Sequence, residues 1–319
     1  MTFTIRPFTD ADYPALAAIS NEAYGSHATA ESLRDEISTI GPQYVFKMWV
    51  AEADGQVVGV GEGQHQMGRF HPRKFHLSVA VRKAYRGQGI GTALYQQVRT
   101  ALSEYDPISL ESGAKEDCPE GLHFLKRLGF VETMTFWESE FDLVAWDPAP
   151  FAAVVDQAKA AGYRFRSMAD LEAAEPDCLH RIHALVQEVK MDVPSTEPHT
   201  FTPFAEWEKL VLRPALIKEL YWVAFHSGEM VGLSTLWSTP EPGVIETGLT
   251  AVKRAHRHQG VARALKVVAL DRAKAAGHQR VKTSNESNNR AMLSVNQWLG
   301  FVRKPGWVAH KLQLHTEEE

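Results

Sequence analysis

The chain repeats itself, and no other feature of the sequence constrains its fold as tightly. AVRKAYRGQGIGTALYQQV from Ala80 and AVKRAHRHQGVARALKVVA from Ala251 align so that Arg86 falls on Arg257, 171 positions apart. LKRLGF, ending at Phe130, and NQWLGF, ending at Phe301, keep the same offset of 171. WVAEADGQVVGVGEG from Trp49 matches WVAFHSGEMVGLSTL from Trp222, 173 positions on. Three blocks in one order and near-constant register mark a duplicated domain. A length of 319 residues suits two domains of ordinary size.

Both halves show the same pattern of elements. In the first, Thr2–Arg6 reads as a strand followed by a helix from Asp10. Tyr44–Ala53 and Gln56–Gln64 alternate around Asp54-Gly55, a hairpin turn signal, and Phe75–Val81 adds a third strand. A helix then runs from Gln88 to Leu102, with apolar residues recurring at three and four. Ile108–Ser112 reads as a strand, Glu120–Leu128 as a helix and Phe130–Phe141 as the closing strand. The second half matches with strands Tyr163–Ser167, Tyr221–His226, Met230–Ser238 and Ile245–Val252, and then a helix from Gln259. Val281–Ser284 as strand, Asn289–Trp298 as helix and Val308–Leu314 as closing strand complete it. The expected fold class is therefore mixed α/β, with two tandem domains that each carry a mostly antiparallel mixed sheet flanked by helices. The boundaries expected are 1–145 and 163–319, with 146–162 as a linker that begins at the prolines of WDPAP and includes a helix.

Each half also carries a loop suited to an anion. The first is Arg86-Gly87-Gln88-Gly89-Ile90-Gly91 and the second Arg257-His258-Gln259-Gly260-Val261-Ala262. Small residues let the backbone approach a phosphate, and the first N–H groups of the following helix point at it. Arg82, Lys83, Lys253 and Arg254 add positive potential. Neither copy has the GK[ST] of a Walker loop, and neither follows the first strand of a βαβ unit as a Rossmann loop would. A solvated basic turn would explain one such loop, but two copies in the same setting argue for function.

Composition narrows the partners. A net charge of -5 and no basic block argue against nucleic acid. No apolar run is long enough to span a membrane, and the start MTFTIRPFTDAD lacks a signal stretch. The two cysteines, Cys118 and Cys178, are far apart and suit a reducing compartment, so a soluble cytoplasmic protein is expected. The histidines show no HExxH or regular ligand spacing, and no metal is expected.

The order strand, (Q/R)-x-x-G-x-(G/A), helix, strand, helix ending in LGF resembles the GNAT acyltransferases over nearly the whole chain. The tandem arrangement is similar in architecture to mycothiol synthases. The resemblance implies that each loop cradles the pyrophosphate of acetyl-CoA. It also implies that the preceding strand bulges to pair with the pantetheine arm, through Val79 and Val81 in the first half and Thr250 and Val252 in the second. The family often places a Glu six residues before the last apolar residue of that strand, which gives Glu246 in the second half and Phe75 in the first. An Asn at the start of the last helix matches Asn289, where the first half has Cys118. The family's Tyr, the proton donor to the departing thiolate, is replaced by Asn296 and by Leu125.

Acyl transfer to an amine benefits from a base, because an amine with a lysine-like pKa is mostly protonated at pH 7. Glu246 supplies one only in the second half, which is thus the expected catalytic domain; a solvated strand carboxylate is the alternative for that residue. The expected activity is acetyl transfer from acetyl-CoA to a small-molecule amine by direct attack, with no cysteine beside either loop to carry the acyl group. Against it stands a CoA-binding regulatory or structural protein in which neither half turns over. Asp192–Pro198, a polar proline-rich loop, is expected to cover the acceptor.

Overall fold

The computed structural model describes residues 2–315. The chain divides into two compact units, one formed by the residues up to Thr135 together with those from Gly306 on, the other by Phe136–Pro305.

In chain order the elements are β1 (Thr4–Pro7), α1 (Tyr13–Tyr24), α2 (Ala30–Ser38), β2 (Phe46–Ala53), β3 (Gln56–Gln64), β4 (Lys74–Val81), α3 (Ile90–Leu102), β5 (Ser109–Lys115), α4 (Pro119–Arg127) and β6 (Val131–Asp142). They continue with α5 (Ala152–Ala160), β7 (Tyr163–Ser167), α6 (Met168–Ala174), α7 (Cys178–Lys190), α8 (Phe204–Val211), β8 (Leu216–His226) and β9 (Glu229–Ser238). Last come β10 (Val244–Val252), α9 (Val261–Ala275), β11 (Arg280–Glu286), α10 (Arg290–Leu299) and β12 (Val302–Gln313).

The first unit's sheet runs β1-β2-β3-β4-β5-β12. Strands β1 to β4 are antiparallel neighbours. On one face lies α3, whose Ile90, Leu94, Val98 and Leu102 are buried at every fourth position. The alternating glycines of VGVGEG admit it. A Cβ on Gly61 would stand 3.2 Å from Leu94 and Val98, and one on Gly63 only 2.8 Å from Leu102 and Val98. The other face carries α1 and α2, around Tyr13, Leu16, Ile19, Met48 and Val60.

The second unit's sheet runs β6-β11-β10-β9-β8-β7, with α9 buried against it. The mixed α/β reading of both halves holds. The closing strands differ from expectation. Phe136–Asp142 pairs antiparallel with β11, so the strand expected to close the first half closes the second sheet. Trp307–Gln313 pairs antiparallel with β5 and closes the first sheet. Apolar packing fixes the exchange, because Phe141 stacks on Phe301 at 4.8 Å while Leu312 packs with Leu110 and Phe130. The stretch 146–162 is no bare linker. Trp146, Phe151 and Val155 belong to the second unit's core, and Lys274 Nζ donates to the carbonyls of Leu143, Val144 and Trp146 at 2.6–3.0 Å.

Candidate functional site

Both anion loops are built by the same local contacts. Arg86 Nε donates to the Val81 carbonyl at 3.0 Å, and Arg257 Nε to that of Val252 at 2.9 Å. Gln88 donates to the Ala84 carbonyl and Gln259 to that of Ala255. Gly89 (φ 87°) and Gly260 (φ 79°) cap α3 and α9 in the left-handed region, and Gly87 (φ 76°) has its counterpart in His258 (φ 61°). An L residue is strained there, so His258 keeps the loop shape at a cost that Gly87 avoids. The 171-residue offset thus translates into equivalent loops.

Ahead of each loop the sheet splays. β4 and β5 pair in parallel only from Lys74–Ser109 to His76–Glu111, and β10 and β11 only from Val244–Arg280 to Glu246–Lys282. Beyond those residues the edges of β4 and β10 are left for something other than a neighbouring strand. The strands are not alike, however. β10 shifts register against β9 between Thr247 and Thr250, the irregularity expected of a bulge. β4 keeps continuous register against β3 from His76 to Val81, so the expected bulge is absent from the first half.

In the first unit the splay opens into a cavity of about 440 Å³. Arg86, Gly87, Gly89 and Gly91 of the loop line it, together with Val79 and Val81 of β4. Gly113 to Lys115 of β5, Phe124 of α4 and Tyr24 at the end of α1 line it as well. The Tyr95 hydroxyl, on a residue 3% exposed that lines the cavity, has no hydrogen-bond partner. Arg86, Arg82 and Lys83 make no ion pair among the described residues, and Arg82 Nε is buried without a partner. Uncompensated cations beside a helix N-terminus favour a bound anion. The Ile90 side chain is buried in the core and that of Gln88 is spent on its own turn, which leaves their backbone N–H groups to face a ligand. Cys118 also lines the cavity, which corrects the expectation that no cysteine lies near a loop. Sequence spacing hid it because α4 returns to the cleft some thirty residues after the glycines.

The second loop is held by its own chain. Asp192, just after α7, accepts from Arg254 Nε at 2.9 Å and from Arg257 Nη2 at 2.5 Å. Bonds from Arg254 and Arg257 hold its carboxyl far below the usual range. Lys253 pairs with Glu229 at 2.6 Å and Glu188 at 3.1 Å. Val261 is buried in the core, and Ala262 packs against it. The Thr250 hydroxyl meets that of Ser234 at 2.8 Å, and Val252 is buried. Asn289 caps α10, accepting from the Met292 N–H at 3.3 Å and donating to Glu286 at 3.1 Å. Asn296 is buried; its amide donates to Asn285 at 2.6 Å while its Oδ1 has no partner. Glu246 sits exposed on β10 where the splay begins.

Residues 45–132 match the model of the acetyltransferase (GNAT) domain, and residues 179–301 that of the acetyltransferase (GNAT) family. No curated protein matches the chain. Among solved structures, a GCN5-related N-acetyltransferase from Sphaerobacter thermophilus is similar at 18% identity and a TM-score of 0.73, over 98% of this chain and 96% of that one. A tandem GNAT protein from the clavulanic acid biosynthesis pathway is similar at 19% identity and a TM-score of 0.74, over 99% and 100% of the two chains. A glucosamine N-acetyltransferase region of a fungal multi-domain β-N-acetylglucosaminidase shares 14% identity at a TM-score of 0.71, over 98% of this chain and 38% of that one. These likenesses are of fold. With two family models spanning more than half of its length, one in each half, the chain is a tandem member of the GNAT acetyltransferase family.

Proposed function

We propose that the protein transfers an acetyl group from acetyl-CoA to the amine of a small molecule. One observation carries this reading: the first unit's cleft is lined both by the loop, with the unpaired Arg86 and a helix N-terminus, and by a strand whose edge is open. A diphosphate suits the loop, and a pantetheine arm suits the edge, as an added strand would. A neutral amine attacking the thioester carbon would form the C–N bond and expel the CoA thiolate. That thiolate is a tolerable leaving group, since thiols ionise near pH 8.5.

The bulge in β10 favours a second reading, in which the chemistry belongs to the second unit with Glu246 as base and the first unit holds acetyl-CoA without turnover. In that case acetyl-CoA must displace Asp192. A CoA-binding protein without activity remains the alternative to both. We place the activity in the cytoplasm, in keeping with two free cysteines; among the described residues no helix is long and apolar enough to cross a membrane.

Release of CoA thiol across a panel of small amines tests for activity, and the loop variants Gly89→Glu and Gly260→Glu assign it. A Cβ at either glycine meets nothing within 4 Å, but both glycines hold a left-handed φ that strains any L residue, so each variant is read beside its own thermal unfolding control. Loss of turnover in Gly89→Glu alone supports the first reading and in Gly260→Glu alone the second. No release with any amine, with CoA still bound, leaves the non-catalytic alternative.

A further inference from the structure

On the face of the first sheet turned away from α3 lies a polar row that the loop and the cleft do not use. His76 and Ser78 alternate along β4 with Phe75 and Leu77, which face α3. Glu62 of β3 stands opposite Ser78 and accepts from its hydroxyl at 3.1 Å. Glu111 of β5 stands beside His76. The row adjoins the cleft through Tyr24, which lines the cavity and feels the charge of Glu62.

Glu111 is 7% exposed. Its Oε2 accepts from Gln66 Nε2 at 2.8 Å, with Arg69 at 3.8 Å, but its Oε1 is buried with no hydrogen-bond partner. A buried carboxylate oxygen left unpaired costs free energy that an incoming N–H donor would recover. Glu62 and His76 are half-buried. Burial raises the Glu62 carboxyl and lowers the His76 imidazole. Glu62 and Glu111 lie two strands and one two-residue step apart, about 12 Å between Cα atoms. That is the reach of a four- to five-carbon diamine with a hydrogen bond at each end.

We propose that this row is the acceptor pocket of the first unit and takes a cationic diamine or similarly spaced amino compound, anchored at Glu111 and deprotonated at Glu62. The proposal rests on the acyl-transfer reading given above. Glu62 takes one proton from the reacting ammonium, and the freed amine forms the C–N bond to the acyl carbon. The C–S bond breaks, and the departing thiolate takes the second proton from nitrogen. Glu62 then returns its proton to water.

Calorimetry on the full chain tests this with CoA, which cannot turn over, and 1,4-diaminobutane as probe. CoA is titrated first and the diamine second. Diamine binding is expected to weaken about tenfold to a hundredfold in Glu111→Gln, as loss of a charge-assisted bond implies, with CoA affinity unchanged. Glu62→Gln, carrying its own thermal unfolding control, should weaken it as well, and 4-aminobutanoate should bind less tightly than the diamine. Absence of CoA binding would remove the acyl-transfer reading together with the pocket. Intact CoA binding with no diamine binding, or with diamine affinity unmoved in both variants, would overturn the pocket and leave that reading standing.

Discussion

Lys266 occupies the repeat position that Tyr95 occupies in the first half, and each introduces a polar group beneath its loop helix. Lys266 is 3% exposed, its Nζ stands 5.0 Å over the Phe301 ring, and burial pulls its pKa down to about 7. Between that value and the 10.5 of a free lysine, the unfolded chain binds the proton and the folded chain does not. Unfolding free energy therefore rises as pH climbs through this window and is lowest below it. Lys266→Met should raise stability by about 1–4 kcal/mol at pH 6, and the gain should shrink by pH 10. Urea midpoints at the two pH values check this, and equal gains at both would refute it. Glu246 is the residue-scale test of the second unit. If it is the base, Glu246→Gln should cost roughly 10²–10⁴ in rate with acetyl-CoA affinity little changed, and the deficit should narrow as pH rises and the amine deprotonates unaided. A wild-type pH–rate profile in that variant would exclude it. Single residues were only partly legible in the sequence. Helical periodicity picked out the buried stripe of α3 but not Tyr95, which is buried beside Val98 and Leu102 and also lines the cleft. The polar alternation of His76 and Ser78 was visible as a pattern, yet alternation alone does not say whether a face is wet by bulk water or by a pocket.

At the scale of elements, the two loops share one backbone and differ in what balances their charge. Their geometry was legible because it depends on residues within six positions of one another. Each arginine returns to the strand it has just left, and each glycine opens a helix. The balance was not legible, because Asp192 lies 65 residues before Arg257 in a segment expected to cover the acceptor. The magnitude of this internal pairing sets what it can do. Arg254 is 80% exposed, so water screens its pair with Asp192 and that pair's net worth is small, while Arg257 is about one-third exposed and is screened less. A CoA diphosphate brings more than one negative charge and can displace a single carboxylate. Asp192→Asn should therefore tighten CoA binding at the second loop by no more than about tenfold and leave the first loop's affinity as it was. Calorimetry on Asp192→Asn in a Gly89→Glu background isolates the second site. Weaker binding there would mean that Asp192 organises the arginines rather than competing for them.

For the whole molecule, the duplication was readable in the sequence and the exchange of closing strands was not. β6 and β12 are themselves repeat equivalents, both following an LGF and both alternating, so no local signal tells which sheet each one joins. Only long-range packing decides, and it makes the first unit depend on the last residues of the described chain. Val308 is buried, Leu312 packs with the core around Leu110 and Phe130, and Trp307 meets both Tyr24 and the Lys115 ammonium. Burying each large apolar side chain is worth about 1.5–3 kcal/mol. Losing three such contacts and a paired strand thus removes an amount comparable with the whole stability of a domain, about 5–15 kcal/mol. It also bares β5 as an edge open to non-native pairing. A fragment covering residues 1–145, the first domain as the repeat alone would draw it, should accordingly fail to unfold cooperatively and should aggregate. A full chain cut after Pro305 should keep a protease-resistant second unit while losing CoA binding at the first loop, although the cut lies far from that loop in sequence. Supplying Gly306–Gln313 as a peptide should restore part of that binding. Circular dichroism melts and limited proteolysis read the outcome. A 1–145 fragment that melts cooperatively and binds CoA as tightly as the full chain would show that the first half is self-sufficient and that the closing strand from the far end of the chain is dispensable.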